Sequence, residues 1–217
     1  MSNPPFADRR DAGRRLGAAL ASRGLDHPLV LGIARGGVII AAEVAALIHG
    51  EAGVTVARKL GAPANPELGV GAVAADGTVF LDERLVSATG ASPEYLEREI
   101  AAEVEEARRR LKAFDGLYHH VAAGRSVIVV DDGIATGVTA RAACRALRKE
   151  SPASLILAAP CAPPSAVEDL RDEADEVVVL VVDPDFMATG QYYRDFRPVS
   201  DADVRAALAA AFKRQAG

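Results

Sequence analysis

VIVVDDGIATGVT, residues Val127–Thr139, holds an apolar run, two adjacent acids and a turn of small residues, in that order. The run Ser126–Val130 has strand length and no alternation, the pattern of a strand buried on both faces of a parallel sheet. Asp131 and Asp132 follow at its C-terminal edge, where open α/β sheets bind ligands. Gly133, Ile134, Ala135 and Thr136 then lead into a helix predicted over Gly137–Lys149. A small-residue turn ahead of a helix N-terminus aims several backbone N–H groups one way. Together with the positive end of the helix dipole, these suit a phosphate. Thr136 and Thr139 add hydroxyl donors. Two carboxylates beside such a cradle would repel a bare anion. They make sense as acceptors for sugar hydroxyls or as groups facing a divalent cation. A helix cap alone needs one polar residue, and calls for neither the paired acids nor the Thr-Gly-x-Thr turn.

Outward from this stretch, strands alternate with helices. Upstream, Asp8–Arg23 has Ala12, Leu16, Ala19 and Leu20 at helical spacing, with Gly24 as its stop. Pro28–Ala34 is a continuous apolar run, followed by Arg35-Gly36-Gly37 and a helix ending near Gly50. Val54–Ala57 reads as a short second strand leading into Arg58 and Lys59. Gly61–Gly71, rich in Gly and Pro, reads as a loop. Ala72–Ala75 and Thr78–Leu81 flank Asp76-Gly77, a pair favoured in tight hairpins. Ser92-Pro93-Glu94 starts a helix running to about Phe114, with Tyr95 leaving its capping box incomplete. Downstream come a strand at Leu155–Ala159, a short helix at Ser165–Arg171, a strand at Val177–Val182 and a terminal helix at Asp201–Lys213, capped by Ser200 or Asp201. The expectation is one α/β domain over residues 1–217 with a doubly wound, mainly parallel sheet.

Composition narrows the function classes. The 217 residues suffice for a buried core, and half are apolar. A net charge of −5 argues against a nucleic-acid partner. The basic cluster Arg108–Arg110 sits in an Arg/Glu-rich helix and reads as a solvated face. Cys144 and Cys161 are far apart in apolar surroundings, without zinc spacing, and read as core residues. The start MSNPPFADRR has no apolar stretch and no run is long enough to span a bilayer, so a cytoplasmic location is the default. There is no GxxxxGK[ST], and ARGG after the first strand is not GxGxxG, so neither nucleotide fingerprint is met.

VIVVDDGIATGVTA resembles the signature by which type I phosphoribosyltransferases bind 5-phosphoribosyl-1-pyrophosphate (PRPP). The resemblance implies that Asp131 and Asp132 hold the ribose hydroxyls, and that Ala135, Thr136, Gly137, Val138 and Thr139 hold the 5′-phosphate. Ile33–Gly37 resembles the family's pyrophosphate loop, which implies a role for Arg35 and Gly36 and a cis peptide at Ala34–Arg35. Physically, a glycine pair lets the backbone approach an anion, and Arg35 suits a bidentate contact. Arg58-Lys59 resembles a position whose basic residues reach pyrophosphate, which implies that role for Lys59, and residues 61–86 stand where the family has a flexible loop that excludes water. Asp183-Pro184-Asp185-Phe186 and the following MATGQYYRDF resemble the hood of hypoxanthine-guanine transferases, implying Phe186 as the base-stacking ring and Arg194 as a pyrophosphate ligand. A core spanning about residues 29–183 and a hood from residues 184–200 with the N-terminal segment follow. Arg9-Arg10-Asp11-Ala12-Gly13, Ala57–Pro63 and Asp185–Phe196 are similar to segments of a bacterial group whose acceptor is unassigned.

The resemblance implies transfer of the phosphoribosyl group of PRPP to a nitrogen acceptor, a nucleobase, with release of pyrophosphate. Asp131, Asp132, Arg35 and Lys59 would be its catalytic residues, and nucleotide metabolism with nucleoside salvage its setting. Magnesium would be the cofactor, with Asp132 facing it, and a homodimer follows by analogy. Ala135 stands where hypoxanthine-guanine enzymes have an acid, as it does in adenine transferases. Ala158-Ala159-Pro160-Cys161 lacks the lysine that reads an exocyclic oxygen, which gives little purchase on 6-oxopurines. A regulatory module that binds PRPP or a nucleotide without turnover is the alternative.

Overall fold

The computed structural model of the chain describes residues 4–114 and 121–215. Five strands form a parallel sheet: β1 (Leu29–Ile33), β2 (Glu51–Thr55), β6 (Ser126–Val130), β7 (Ser154–Ala162) and β8 (Glu176–Val182), in the order β2-β1-β6-β7-β8. Helices cover both faces. Helix α1 (Arg9–Ala21) and α2 (Gly36–Leu47) pack with Val30, Ile128, Val130 and Ile156 on one side. Helix α5 (Val138–Arg148) packs with Leu31, Val129 and Leu157 on the other. In β1, β6 and β7 both sets of alternate side chains are therefore buried, which is why these strands read as unbroken apolar runs. The doubly wound, mainly parallel sheet expected from the sequence is present.

A second sheet projects beside the first. Strands β3 (Ala57–Ala62), β4 (Asn65–Ala74) and β5 (Val79–Leu81) pair antiparallel in chain order. This corrects two expectations. The run Val54–Ala57 is not one strand: β2 ends at Thr55, and Arg58 and Lys59 lie inside β3 of the other sheet. Nor is Gly61–Gly71 a loop, since most of it belongs to β3 and β4. Its glycines and prolines hid the strand, and Pro66 is tolerated because the pairing is irregular around Gly61. The inner half, Gly69–Ala74, is buried on both faces, so no alternation marks it. Val70 and Val73 pack against Leu96 and Val104 of α4 (Pro93–Lys112), while Ala72 and Phe80 join the α5 core.

The local signals behave as their chemistry requires. Ser92 Oγ accepts from the Tyr95 N–H at the start of α4. At the hairpin, Gly77 has φ +93° and Asp76 accepts from the Thr78 N–H. Ser200 caps the terminal helix α7 (Asp201–Gln215), accepting from the Asp203 N–H. A short helix α3 (Glu83–Thr89), capped by Asp82, was not expected. The short α6 covers Pro164–Asp169. Beyond β8 the chain forms a 3-10 turn at Thr189–Tyr192. It then pairs with the N-terminal segment: Phe6 N–H donates to Tyr192 O, and Arg194 N–H donates to Phe6 O.

Candidate active site

In the sheet order, the chain moves from β1 outward to β2 and then returns to the other side of β1 with β6. The direction of winding reverses between these two strands, and a crevice opens at their C-terminal ends. The loop after β1, Ala34–Gly37, and the loop after β6, Asp131–Gly137, stand side by side there, with Gly32 in register with Val130. The Ala34–Arg35 peptide is cis, as the resemblance implied. The two loops touch at Gly36. A Cβ on Gly36 would lie 1.9 Å from Asp132 Oδ2, so no side chain fits.

Two adjoining clefts occupy this edge. One, of about 310 Å³, is lined by Arg9, Arg35, Gly36, Asp131, Asp132 and Thr139, among others. The second, of about 180 Å³, is lined by Lys59, Asp131 and the whole run Gly133–Ala140. Asp131 and Thr139 border both, so the two clefts are contiguous. Helix α5 begins at Val138 after Gly137, whose φ of +76° is a left-handed conformation suited to glycine. The first helical residues, Val138, Thr139 and Ala140, line the smaller cleft, and N–H groups of a first turn have no partner within the helix. Thr136 is exposed and Thr139 half-buried.

The two acids are electrostatically unlike. Asp131 Oδ1 accepts from the Asp132 N–H at 2.8 Å. Burial, and then the charge of Asp132, push the Asp131 carboxyl well above the usual carboxylate range. Asp132 is instead paired, its Oδ2 lying 2.7 Å from Arg9 Nε. Cys161 lies close by, its thiol pushed up to about 12 by burial and by the charges of Asp132 and Asp131. Cys144 is likewise pushed up to about 12, chiefly by burial. Both cysteines are buried thiols, as expected of core residues.

The other candidates divide. Arg35 and Gly36 line the larger cleft, with Arg35 Nη1 3.7 Å from Asp201 Oδ1. Lys59 lines the smaller cleft together with the turn after β6, and its Nζ donates to Glu67 O at 2.7 Å. Arg194 lines neither cleft and is exposed. It follows Tyr193 in an extended segment, and successive side chains there alternate, so an inward Tyr193 sends Arg194 to solvent. Phe186 is half-buried and stacks on Tyr192, centroids 5.3 Å apart.

Sequence reasoning gave no role to Arg9 or Tyr193. Arg9 is 123 residues from Asp132, and only the start Arg9–Gly13, already noted as a shared segment, pointed at it. The buried Tyr193 hydroxyl donates to the Asp132 carbonyl at 2.6 Å. Burial, and then the charge of Asp132, push that phenol well above its ordinary range. Tyr193→Phe would leave this carbonyl without its donor and is expected to cost about 1–3 kcal/mol. Urea denaturation measures it, and an unchanged midpoint would show that the bond adds nothing.

A further cavity of about 400 Å³ opens at the opposite edge of the sheet, lined by His27, His49, Arg125 and Arg214 among others. Arg125 is held there by Glu51 Oε2 and the His27 carbonyl. None of the candidate residues lies in it.

Comparison with known proteins agrees with this geometry. Residues 11–197 match the family model described as "Phosphoribosyl transferase domain". Two Mycobacterium tuberculosis proteins, from strains CDC 1551 and H37Rv and named "Putative phosphoribosyl transferase" MT0597 and Rv0571c, are 40% identical to the chain over 206 residues. The match covers 94% of this chain and 46% of each relative, so the chain spans about half their length. The crystal structure of TT1426 from Thermus thermophilus is similar with a TM-score of 0.79 at 44% identity, covering 94% of this chain and 98% of that one. With β1 and β6 presenting their loops at one switch point and the match running from α1 through the hood, the chain belongs to the phosphoribosyl transferase domain family.

Proposed function

We propose that this chain transfers the 5-phosphoribosyl group of PRPP to a nitrogen acceptor of nucleobase type, releasing pyrophosphate. The observation that supports this most is the meeting of a phosphate cradle, two acids and the Arg35-Gly36 loop at one sheet edge. In this reading Asp131 and Asp132 accept hydrogen bonds from the ribose hydroxyls. Ala135–Thr139 receive the 5′-phosphate, with Lys59 lining the same cleft. Arg35 and the Gly36 backbone face the diphosphate. The bond from C1 to the diphosphate oxygen breaks with its electron pair, the acceptor nitrogen's lone pair forms the new bond to C1, and the nitrogen's proton passes to solvent. Such a step needs neutralisation of the leaving group more than a strong base.

Magnesium belongs to the same proposal. Among the described residues no cluster of three or more His, Cys, Asp or Glu could hold a metal. Asp132, a hard oxygen donor at the larger cleft, would face the water shell of an ion held by the oxygens of the diphosphate. Such an ion supplies positive charge to the leaving group. Phe186 as the stacking ring requires the acceptor to use the face that Tyr192 leaves open, and Arg194 as a pyrophosphate ligand requires the hood to turn. A homodimer, a salvage role and a cytoplasmic location are further parts of the proposal. Among the described residues no helix is long and apolar enough to cross a membrane.

One observation favours a regulatory module instead. The backbone N–H groups of Met187 and Ala188, in the hood, both donate to Gln191 Oε1 and do not read a base. The decisive experiment mixes the protein with Mg·PRPP and a nucleobase panel and measures pyrophosphate. Release with at least one base is the expected result. Calorimetric binding of PRPP without release from any base would overturn the transferase and leave the regulator. No preference for PRPP over ribose 5-phosphate would overturn both.

A further inference from the structure

We infer that Arg9 of the N-terminal helix is the positioning residue for Asp132, clasping that carboxylate for the phosphoribosyl substrate. The inference rests on the reading of Asp132 as a ribose-facing acid. Its basis is a closed circuit of four side chains. Arg9 Nε donates to Asp132 Oδ2 at 2.7 Å, and Arg9 Nη1 donates to the Arg197 carbonyl at 3.0 Å. The guanidinium lies over the Phe196 ring, 3.9 Å from its centroid. Phe196 stacks on Tyr193, centroids 5.0 Å apart, and the Tyr193 hydroxyl returns to the Asp132 carbonyl. Asp132 is thus gripped at both its carboxylate and its backbone.

The grip has a direction. Gly36 bars one side of the Asp132 carboxylate, with no room there even for a methyl group. Asp131 Oδ1 accepts from the Asp132 N–H, so the neighbouring acid holds the backbone of Asp132. Arg9 is the cation that holds the remaining orientation, and only 11% of its side chain and 18% of that of Asp132 are exposed. A planar, always-charged fork stacked on an aromatic face is well suited to this task, and a lysine would reproduce the charge without the stack or the second contact. Arg9 also offsets part of the negative charge that the paired acids present to a polyanionic substrate. Since it lines the larger cleft beside Arg35 and Gly36, it acts where the diphosphate and ribose would meet.

The test is calorimetric affinity for Mg·PRPP, with the KM values for PRPP and acceptor, in Arg9→Met, Arg9→Lys and the control Arg10→Met. Arg10 is the neighbouring position and pairs with Glu43 at 2.7 Å, away from the acids. Arg9→Met is expected to weaken PRPP binding about tenfold or more, the loss of one charged hydrogen bond. The acceptor KM should stay within about twofold, Arg9→Lys should recover only part of the affinity, and Arg10→Met should match wild type. In an Asp132→Asn background the Arg9 substitution should have little further effect, because the partner is already altered. A lower melting temperature with unchanged PRPP affinity in both Arg9 variants would make the residue merely structural and overturn the inference. Should Arg9→Met fail to fold, the Arg9→Lys affinity decides by the same criterion. Wild-type protein that ignores Mg·PRPP would overturn the phosphoribosyl reading and this inference together. Normal wild-type binding with unaltered variants overturns the Arg9 role alone.

Discussion

The double replacement Asp131→Asn with Asp132→Asn is expected to weaken PRPP binding by about 100-fold or more. Each acid is read as accepting a hydrogen bond from a ribose hydroxyl, and bonds to charged groups contribute about 1.5–3 kcal/mol each. Two such losses sum to about 3–6 kcal/mol, hence a factor of about 100 at least. Asparagine keeps the shape and one acceptor oxygen, so the loss reports charge and geometry rather than a cavity. Calorimetry with Mg·PRPP measures it, and unchanged affinity would remove these acids from the site.

Stability should move the other way for Asp131→Asn alone. The folded chain holds the Asp131 carboxyl above its ordinary value of 3.8, because burial and the neighbouring Asp132 disfavour its charge. Between that value and the raised one, the folded state binds more protons than the unfolded state. Stability contributed by this group is therefore fully present below the ordinary value and is lost as pH rises through the raised one. Asparagine removes this dependence, so the variant should melt higher than wild type near neutral pH, with the difference shrinking as pH falls. The comparison must be between the two proteins. Other carboxylates, such as Glu106, held down to about 2 by hydrogen bonds from Arg109 and Arg110, slope in the opposite direction. Asp132 N–H donates to Asp131 Oδ1, and asparagine can retain that bond. A variant that melts lower at every pH would mean that this bond or the packing, rather than charge burial, dominates at Asp131. Higher stability with poorer binding is the trade expected where a buried acid serves function.

Gly36→Ala should be nearly as damaging to binding. The added Cβ would lie 1.9 Å from Asp132 Oδ2, 2.5 Å from its Cγ and 2.9 Å from Arg9 Nε. Two of these atoms form the Arg9–Asp132 pair, so the pair, the loop or both must shift. Relief of such overpacking costs about 1–3 kcal/mol of stability. A displacement of about 1 Å at the reacting geometry costs about 100-fold in rate. Chemical denaturation and PRPP kinetics together measure the two effects. A variant with wild-type PRPP kinetics would mean that Asp132 can move without consequence.

The stretch Val127–Thr139 could be read without a structure because its information is local. A strand buried on both faces, acids at its C-terminal end and a helix start are adjacent in sequence, and backbone chemistry fixes how they succeed one another. The same holds for the Ser92 cap, the Asp76-Gly77 turn and the Arg35-Gly36 loop, each shaped by its own neighbours. What failed was pairing between segments. Strand β4 carries glycine, proline and no alternation, and it is a strand because β3, β5, α4 and α5 cover it. Arg194 and Arg9 show the same division at the site. Family position suggested Arg194, and the pairing of residues 193–195 with Phe6 and Ala7 leaves it exposed and outside both clefts. That same pairing carries Arg9 onto Asp132 and Tyr193 beneath it.

From sequence alone came the sheet class, the small-residue turn into α5 and the place of the paired acids after β6, since each depends on residues a few positions apart. Only the tertiary structure decided which cation meets Asp132 and why Gly36 admits no side chain. Contacts between segments so distant in the chain are set by the packing of whole elements, and no local pattern encodes them.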